Sequence, residues 1–190
     1  MISLTAQRTF ERLENQSLWQ SAEQVHQALA SQAIPHAVVG GMAVCLHGYR
    51  RHTVDIDFLV RPEDQIRIRS ILESAGLQFA AATAEFRTDT GIAVRFVIAG
   101  ESAGTGQPAV FPDPADATTI ATIEGLPVLN LAALIQSKLA CGLGNLRRTH
   151  KDFADVVELI VIHHLDKTFV KHLHKSVRRE FQALVDRVQG

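Results

Sequence analysis

The chain has 190 residues, 46% hydrophobic and 21% charged, which suits a single domain with a substantial core. Its net charge of −1 gives no global pull toward nucleic acid or an anionic membrane, and no apolar stretch is long enough to span a bilayer. Cys45 and Cys141 lie in apolar, helix-like segments without metal-binding spacing, so they read as free thiols in a reducing cytoplasm; Met1 to Gln20 lacks the apolar run of a signal peptide.

In chain order, residues 17–33 place Leu18, Val25, Ala28 and Leu29 at helical spacing, and Pro35 stops that helix. His36 to Val39 reads as a first strand, Gly40-Gly41 as a tight turn, Met42 to His47 as a short helix and Val54 to Val60 as a second strand. Alternation puts Val54, Ile56, Phe58 and Val60 on one face, toward the core, and Asp55, Asp57 and Leu59 on the other. Pro62-Glu63-Asp64 opens a third helix, proline early and acids in the first turn, which runs through Ile66, Ile71 and Leu72 to Gly76. Leu77 to Asp89 holds two short strands and Ile92 to Ala99 another, whose apolar face is Ile92, Val94, Phe96 and Ile98. Gly100 to Pro114 is a long loop, a kind more often functional or mobile than structural.

Thr118 to Ile123 and Leu126 to Leu129 are strands flanking Glu124-Gly125, and Asn130 caps a helix through Lys138. A further helix near Lys151 to His163 carries Asp152 and Asp155 on one side, where pairing with Arg147, Arg148 or Lys151 is the ordinary reading. Asp166 to Gln189 reads as one amphipathic helix with Val170, Leu173, Val177, Phe181, Leu184 and Val188 as its stripe; the basic row Lys167, Lys171 and Lys175 is read as a solvated face. The expected architecture is α/β: a core over residues 1–129 with its N-terminal helix, and a helical region over 130–190 packed on it.

The chemistry concentrates in two places, Gly40-Gly41 and Asp55-Ile56-Asp57. Two carboxylates side by side on one strand face repel, by roughly 1 kcal/mol in water and about 4 kcal/mol at an effective dielectric near 20. A divalent cation or a nearby arginine turns that repulsion into attraction, and magnesium takes one or two protein carboxylates together with water and phosphate oxygens. The glycines let the backbone come close to a ligand, and the helix after them begins with free N–H groups. There is no Walker-type loop, no dinucleotide fingerprint and no Gly-x-Ser-x-Gly turn.

These residues resemble the DNA polymerase β-like nucleotidyltransferase superfamily, in which an apolar residue and Gly-Gly or Gly-Ser precede Asp-x-Asp. The most similar branch is the small bacterial one that includes minimal nucleotidyltransferases and abortive-infection toxins. His47-Gly48, Arg51-His52-Thr53, Leu126-Pro127-Val128-Leu129, the run Leu134 to Ala140 and Lys151 to Val156 resemble elements of that branch. The resemblance implies a short mixed sheet flanked by helices, Mg2+ or Mn2+ held by Asp55 and Asp57, and Gly40 and Gly41 under the phosphates of a nucleoside triphosphate, ATP being expected. Arg51, Thr53, Arg95 and Lys138 are the further candidate nucleotide contacts. The acceptor implied is RNA, a protein or a small molecule.

One position departs from the family pattern. Where a third carboxylate is expected, this chain has Arg95, which neither ligates a cation nor serves as a base. Arg95 is open to three readings: a partner for Asp55 or Asp57 in place of one metal, a phosphate grip, or a surface arginine on the sheet. Glu101 lies about 20 Å along an extended strand, whereas Glu85 and Asp89 are candidates for closer approach. The alternative function that follows is a catalytically degraded member that binds nucleotide or a partner protein, as in a toxin–antitoxin pair. A plain interaction scaffold leaves the glycine-to-aspartate layout unexplained.

Overall fold

A computed structural model describes residues 16–190, so most of the segment read above for a signal peptide lies outside the described residues. Helix α1 (Gln16–Ser31) leads to β1 (His36–Val39), α2 (Gly40–Leu46) and β2 (Asp55–Val60). A 3-10 turn (Pro62–Asp64) opens α3 (Gln65–Ser74), followed by β3 (Gln78–Ala80), β4 (Glu85–Arg87) and β5 (Ala93–Ile98). After the long loop come β6 (Ile120–Ile123), β7 (Leu126–Leu129), α4 (Leu131–Gly144), α5 (Leu146–Ile162), two 3-10 turns and α6 (Arg178–Gln189).

The strands form one seven-stranded mixed sheet in the order β3-β4-β5-β2-β1-β7-β6. β1 runs antiparallel to β2 and parallel to β7, and β2 runs parallel to β5. Central strands β1 and β2 are apolar because helices cover both faces: Ala37, Val38, Ile56, Phe58, Leu59 and Val60 are fully buried. Strand alternation sorts the helices. His36 and Phe58 share a face and their rings meet, and His36 also bonds His26 of α1, so α1 lies on the Phe58 face. α3 packs beside α1, tied by Gln24 Nε2 donating to the Ala75 carbonyl and Arg67 Nη2 to that of Gln32. Asp57 faces the other way, toward Ser137 and Lys138 of α4.

Most predicted elements are present, and the hairpin is explained by Glu124 (φ +50°) and Gly125 (φ +86°), the paired left-handed residues of a tight two-residue turn. Asn130 caps α4 by accepting from the Ala133 N–H. Three expectations are corrected. Val54 precedes β2 and is 64% exposed, so it is not core; in α3 the inward residues are Ile68 and Leu72, while Ile66 is 87% exposed. The helix expected over Asp166–Gln189 is broken: Asp166 caps one 3-10 turn (Lys167–His172), His174 caps a second (Lys175–Val177), and α6 begins only at Arg178. Among the described residues no helix is long and apolar enough to cross a membrane.

Candidate active site

The site grows from the junction of β1 and α2. Gly40 has φ +65°, and a Cβ there would lie 2.3 Å from Asp57 Oδ2. The pairing of Val39 with Asp57 across β1 and β2 delivers that carboxylate directly against the glycine. A Cβ on Gly41 would lie 2.6 Å from Thr53 Oγ1 and 2.9 Å from Arg51 Nη2. Thus Gly40, Gly41, Arg51, Thr53 and Asp57, chosen from separate parts of the sequence, meet in one cluster. The glycines leave room first for protein side chains. Helix α2 begins at Gly40 itself, two residues before the expected start.

Asp55 and Asp57 are neighbours on one face of β2 as alternation requires. Burial pushes the Asp57 carboxyl up, the charge of Asp55 adds to this, and Arg95, Arg148 and Lys138 partly offset both. Arg95 stands beside Asp57 in the β2–β5 register. Its Nη1 donates to Asp55 Oδ2 at 2.7 Å and its Nε to Glu85 Oε2 at 3.1 Å. Of the three readings open for this residue, the structure has the pairing, with Asp55 as the partner. Glu85 arrives from the neighbouring strand β4, is 3% exposed and also holds Arg87; the hydrogen bond from Arg95 keeps its carboxyl below the ordinary range.

Behind this face lies an ion network. Lys138 is buried and bonds Asp152 Oδ1 at 2.9 Å and Asp155 Oδ2 at 2.7 Å. Arg51 Nη2 donates to Asp155 Oδ2 at 3.1 Å, with Nε 2.7 Å from Oδ1 as a close ion pair, and Arg148 Nε reaches Asp152 Oδ2 at 3.1 Å. Arg51 and Lys138 are therefore held by aspartates of α5. Lys138 still borders the cleft beside Asp57. Arg148, in the sequence one of three alternative partners for Asp152, also lines that cleft, and the local signal for its place is the i, i+4 spacing to Asp152.

A narrow cleft of about 90 Å³ runs along Val39, Gly40, Asp57, Lys138, Cys141 and Arg148. It shares Val97, Phe111, Cys141 and Arg148 with a wider hollow of about 550 Å³, whose walls include Glu101, Thr105 and Asn145. The loop of residues 100–114 forms one wall and is tightly packed. A Cβ on Gly104 would lie 2.2 Å from the Ala140 carbonyl oxygen, and one on Gly144 would lie 2.5 Å from Thr105 N. Ala103 and Ala109 are buried, and Arg61 grips Asp113 through two hydrogen bonds of 2.8 and 2.7 Å. Glu101 thus borders the same hollow as Arg148.

Among the described residues no cluster of three or more His, Cys, Asp or Glu side chains forms a cage for a metal. The Asp55–Asp57 pair nevertheless fits a magnesium-type ion that brings its own phosphate and water ligands. Burial, with the charge of Asp55 added to it, raises the Asp57 carboxyl, and such a cation would offset both.

The sequence profile of a family described as "Uncharacterised nucleotidyltransferase" matches residues 2–108. A Thermotoga maritima protein, described as a nucleotidyltransferase by inference, superposes with a TM-score of 0.53 at 20% identity, covering 73% of this chain and 93% of that one. An H. pylori protein described likewise gives 0.55 at 16% identity, covering 89% and 92%. ANT(2″)-Ia, solved in complex with adenylyl-2″-tobramycin, gives 0.51 at 15% identity, covering 92% and 99%. At these identities the superpositions speak for the fold. No curated protein sequence matches.

Proposed function

The chain belongs to this uncharacterised nucleotidyltransferase family, and on that premise we propose that it transfers a nucleoside monophosphate from a nucleoside triphosphate, ATP as the working substrate, to an acceptor hydroxyl. The observation that carries the reading is the fit of the Asp57 carboxylate against Gly40, which presses one acid of the Asp55–Asp57 pair against a backbone turn beside a narrow cleft. Asp55 and Asp57 would hold Mg2+ or Mn2+, which when bound supplies Lewis-acid polarisation of the phosphate under attack. Gly40 and Gly41 admit the phosphates close to the backbone, and Arg95 and Arg148 supply guanidinium donors for them. The acceptor oxygen forms a bond to the α-phosphorus, the bond to the bridging α,β oxygen breaks, and pyrophosphate leaves. The hydroxyl proton leaves to water, since a cation on Asp57 would offset the burial and the Asp55 charge that raise its carboxyl. Glu85, bound by two arginines, is poorly suited to accept that proton. Thr53 and the ion-paired Arg51 and Lys138 hold these parts in place.

A second reading is favoured by one observation, the Arg95–Asp55 ion pair. On it the chain binds nucleotide or a partner protein, as in a toxin–antitoxin pair, without turnover. Incubation with α-labelled ATP and Mg2+ separates the two, offering total RNA, cellular protein and polyhydroxylated small molecules of the tobramycin kind that ANT(2″)-Ia was solved with. Label transfer to one acceptor class, lost in Asp57→Asn, supports transfer. Nucleotide binding without transfer to any of them supports the second reading. A cytoplasmic location is part of this proposal.

A further inference from the structure

Arg95 occupies Asp55, one of the two carboxylates that would hold a cation, and its surroundings let it leave. The guanidinium bridges Asp55 Oδ2 at 2.7 Å and Glu85 Oε2 at 3.1 Å, with its side chain 49% exposed. The β4–β5 register, Phe86 with Val94 and Arg87 with Ala93, carries on to set Glu85 opposite Arg95. Glu85 is almost fully buried and is bound a second time by Arg87. If Arg95 turns away, Glu85 keeps one guanidinium and is not stranded as a buried charge. Asp55, 26% exposed, is the acid that loses its partner. An incoming divalent cation restores that partner, and a triphosphate gives Arg95 a new one. The exchange therefore leaves no charge unpaired, whereas a cation arriving alone takes Asp55 from Arg95 and leaves the guanidinium on Glu85 beside the added positive charge.

We infer that Arg95 is a phosphate-binding residue held on Asp55 and Glu85 in the free protein, and that it makes divalent-cation binding conditional on nucleotide. The protein takes up the cation only as a metal–triphosphate complex. Glu85 is the positioning residue that keeps Arg95 within reach of both states. This inference rests on the nucleotide reading above and deepens it, since it sets the form in which the substrate enters.

The test is Mn2+ binding followed by the loss of its free-ion electron paramagnetic resonance signal, with no turnover required. The nucleotide probe is the α,β-methylene analogue of ATP, which cannot be split at the bond in question. Wild-type protein is expected to bind Mn2+ weakly alone and at least about tenfold more tightly with the analogue, after correction for Mn2+ bound by the analogue itself. Arg95→Gln is expected to gain about tenfold or more in affinity for Mn2+ alone and to bind the analogue more weakly. Arg95→Lys, which keeps the charge, is expected to stay closer to wild type, and thermal melts confirm that each variant is folded. Equal Mn2+ affinity in wild type and Arg95→Gln overturns the inference, as does an equal gain in Arg95→Lys and Arg95→Gln. Those results leave the nucleotide reading standing if the analogue still binds; failure of the analogue to bind any variant overturns both.

Discussion

Gly40 and Asp57 compete for the same few ångströms, and the glycine yields by having no side chain. A Cβ at Gly40 would both overlap Asp57 Oδ2 and force a left-handed φ on an alanine, which costs about 1–2 kcal/mol before any overlap is relieved. Gly40→Ala is therefore expected to lower Tm by several degrees and to abolish label transfer, because Asp57 must move; unchanged melting would show that the contact is dispensable. Asp57→Asn should act in the opposite sense on stability. Burial and Asp55 raise the Asp57 carboxyl in the folded state, so its ionised form works against folding above that pKa, and the cost fades as pH falls and the group protonates in both states. The variant is expected to melt higher than wild type near pH 7.5, with a gain that shrinks toward the ordinary carboxylate range, while being inactive. These two residues were legible because strand alternation and a glycine turn are local patterns. The partners of Arg51 and Lys138 were not, since Asp155 lies 104 residues beyond Arg51 and only the α4–α5 packing brings Asp152 and Asp155 to Lys138.

Among the elements, the stretch of residues 100–114 shows how composition misleads. Its glycines and prolines read as freedom, yet Gly104, at φ +130°, is what lets the loop backbone press onto the Ala140 carbonyl of α4. Small residues there mark a close approach. Gly104→Ala is expected to lift the loop from α4 and speed amide exchange over residues 100–114, with label transfer reduced because the wall bearing Phe111 shifts; unchanged exchange would mean that α4 yields instead. The C-terminal stripe misled in a different way. Leu173, Val177, Phe181 and Leu184 are buried as the periodicity implied, but hydrophobic period alone does not register caps. Asp166 accepting from Thr168 N and His174 from Ser176 N stop the helix locally, and Gln136 of α4 accepts from His174 N across the break. The strands were read more faithfully. β1 and β7 are short apolar runs bounded by turn residues, and the hairpin turn follows from Glu124-Gly125, signals that act within a few residues.

Across the whole molecule, buried and half-buried histidines stitch separate elements together through bonds that suit the neutral ring. His36 Nδ1 donates to the Ile34 carbonyl at 2.7 Å, which leaves its Nε2 to accept from His26 Nδ1 at 2.8 Å and binds α1 to β1. His47 Nε2 donates to the Leu129 carbonyl at 2.7 Å and binds α2 to β7. Burial lowers the pKa of His26, His36 and His47 below the ordinary 6.5, against weaker opposing contributions from Glu23 and the backbone bonds. Each of these histidines takes up a proton more readily when the chain is unfolded. Their contribution to stability is complete above pH 6.5 and is lost progressively as pH falls below it. A proton on His36 would also set two N–H groups facing each other across the His26 contact. Against the opposite contribution of the single raised Asp57 carboxyl, these three histidines are expected to make thermal melts fall between pH 7.5 and pH 5.5, well above the range in which the lowered carboxyls of Asp113, Asp116 and Asp166 titrate. His36→Gln and His47→Gln should each lower Tm at pH 7.5 but flatten its fall toward pH 5.5. A slope the same as wild type in both variants would move the acid sensitivity elsewhere in the fold.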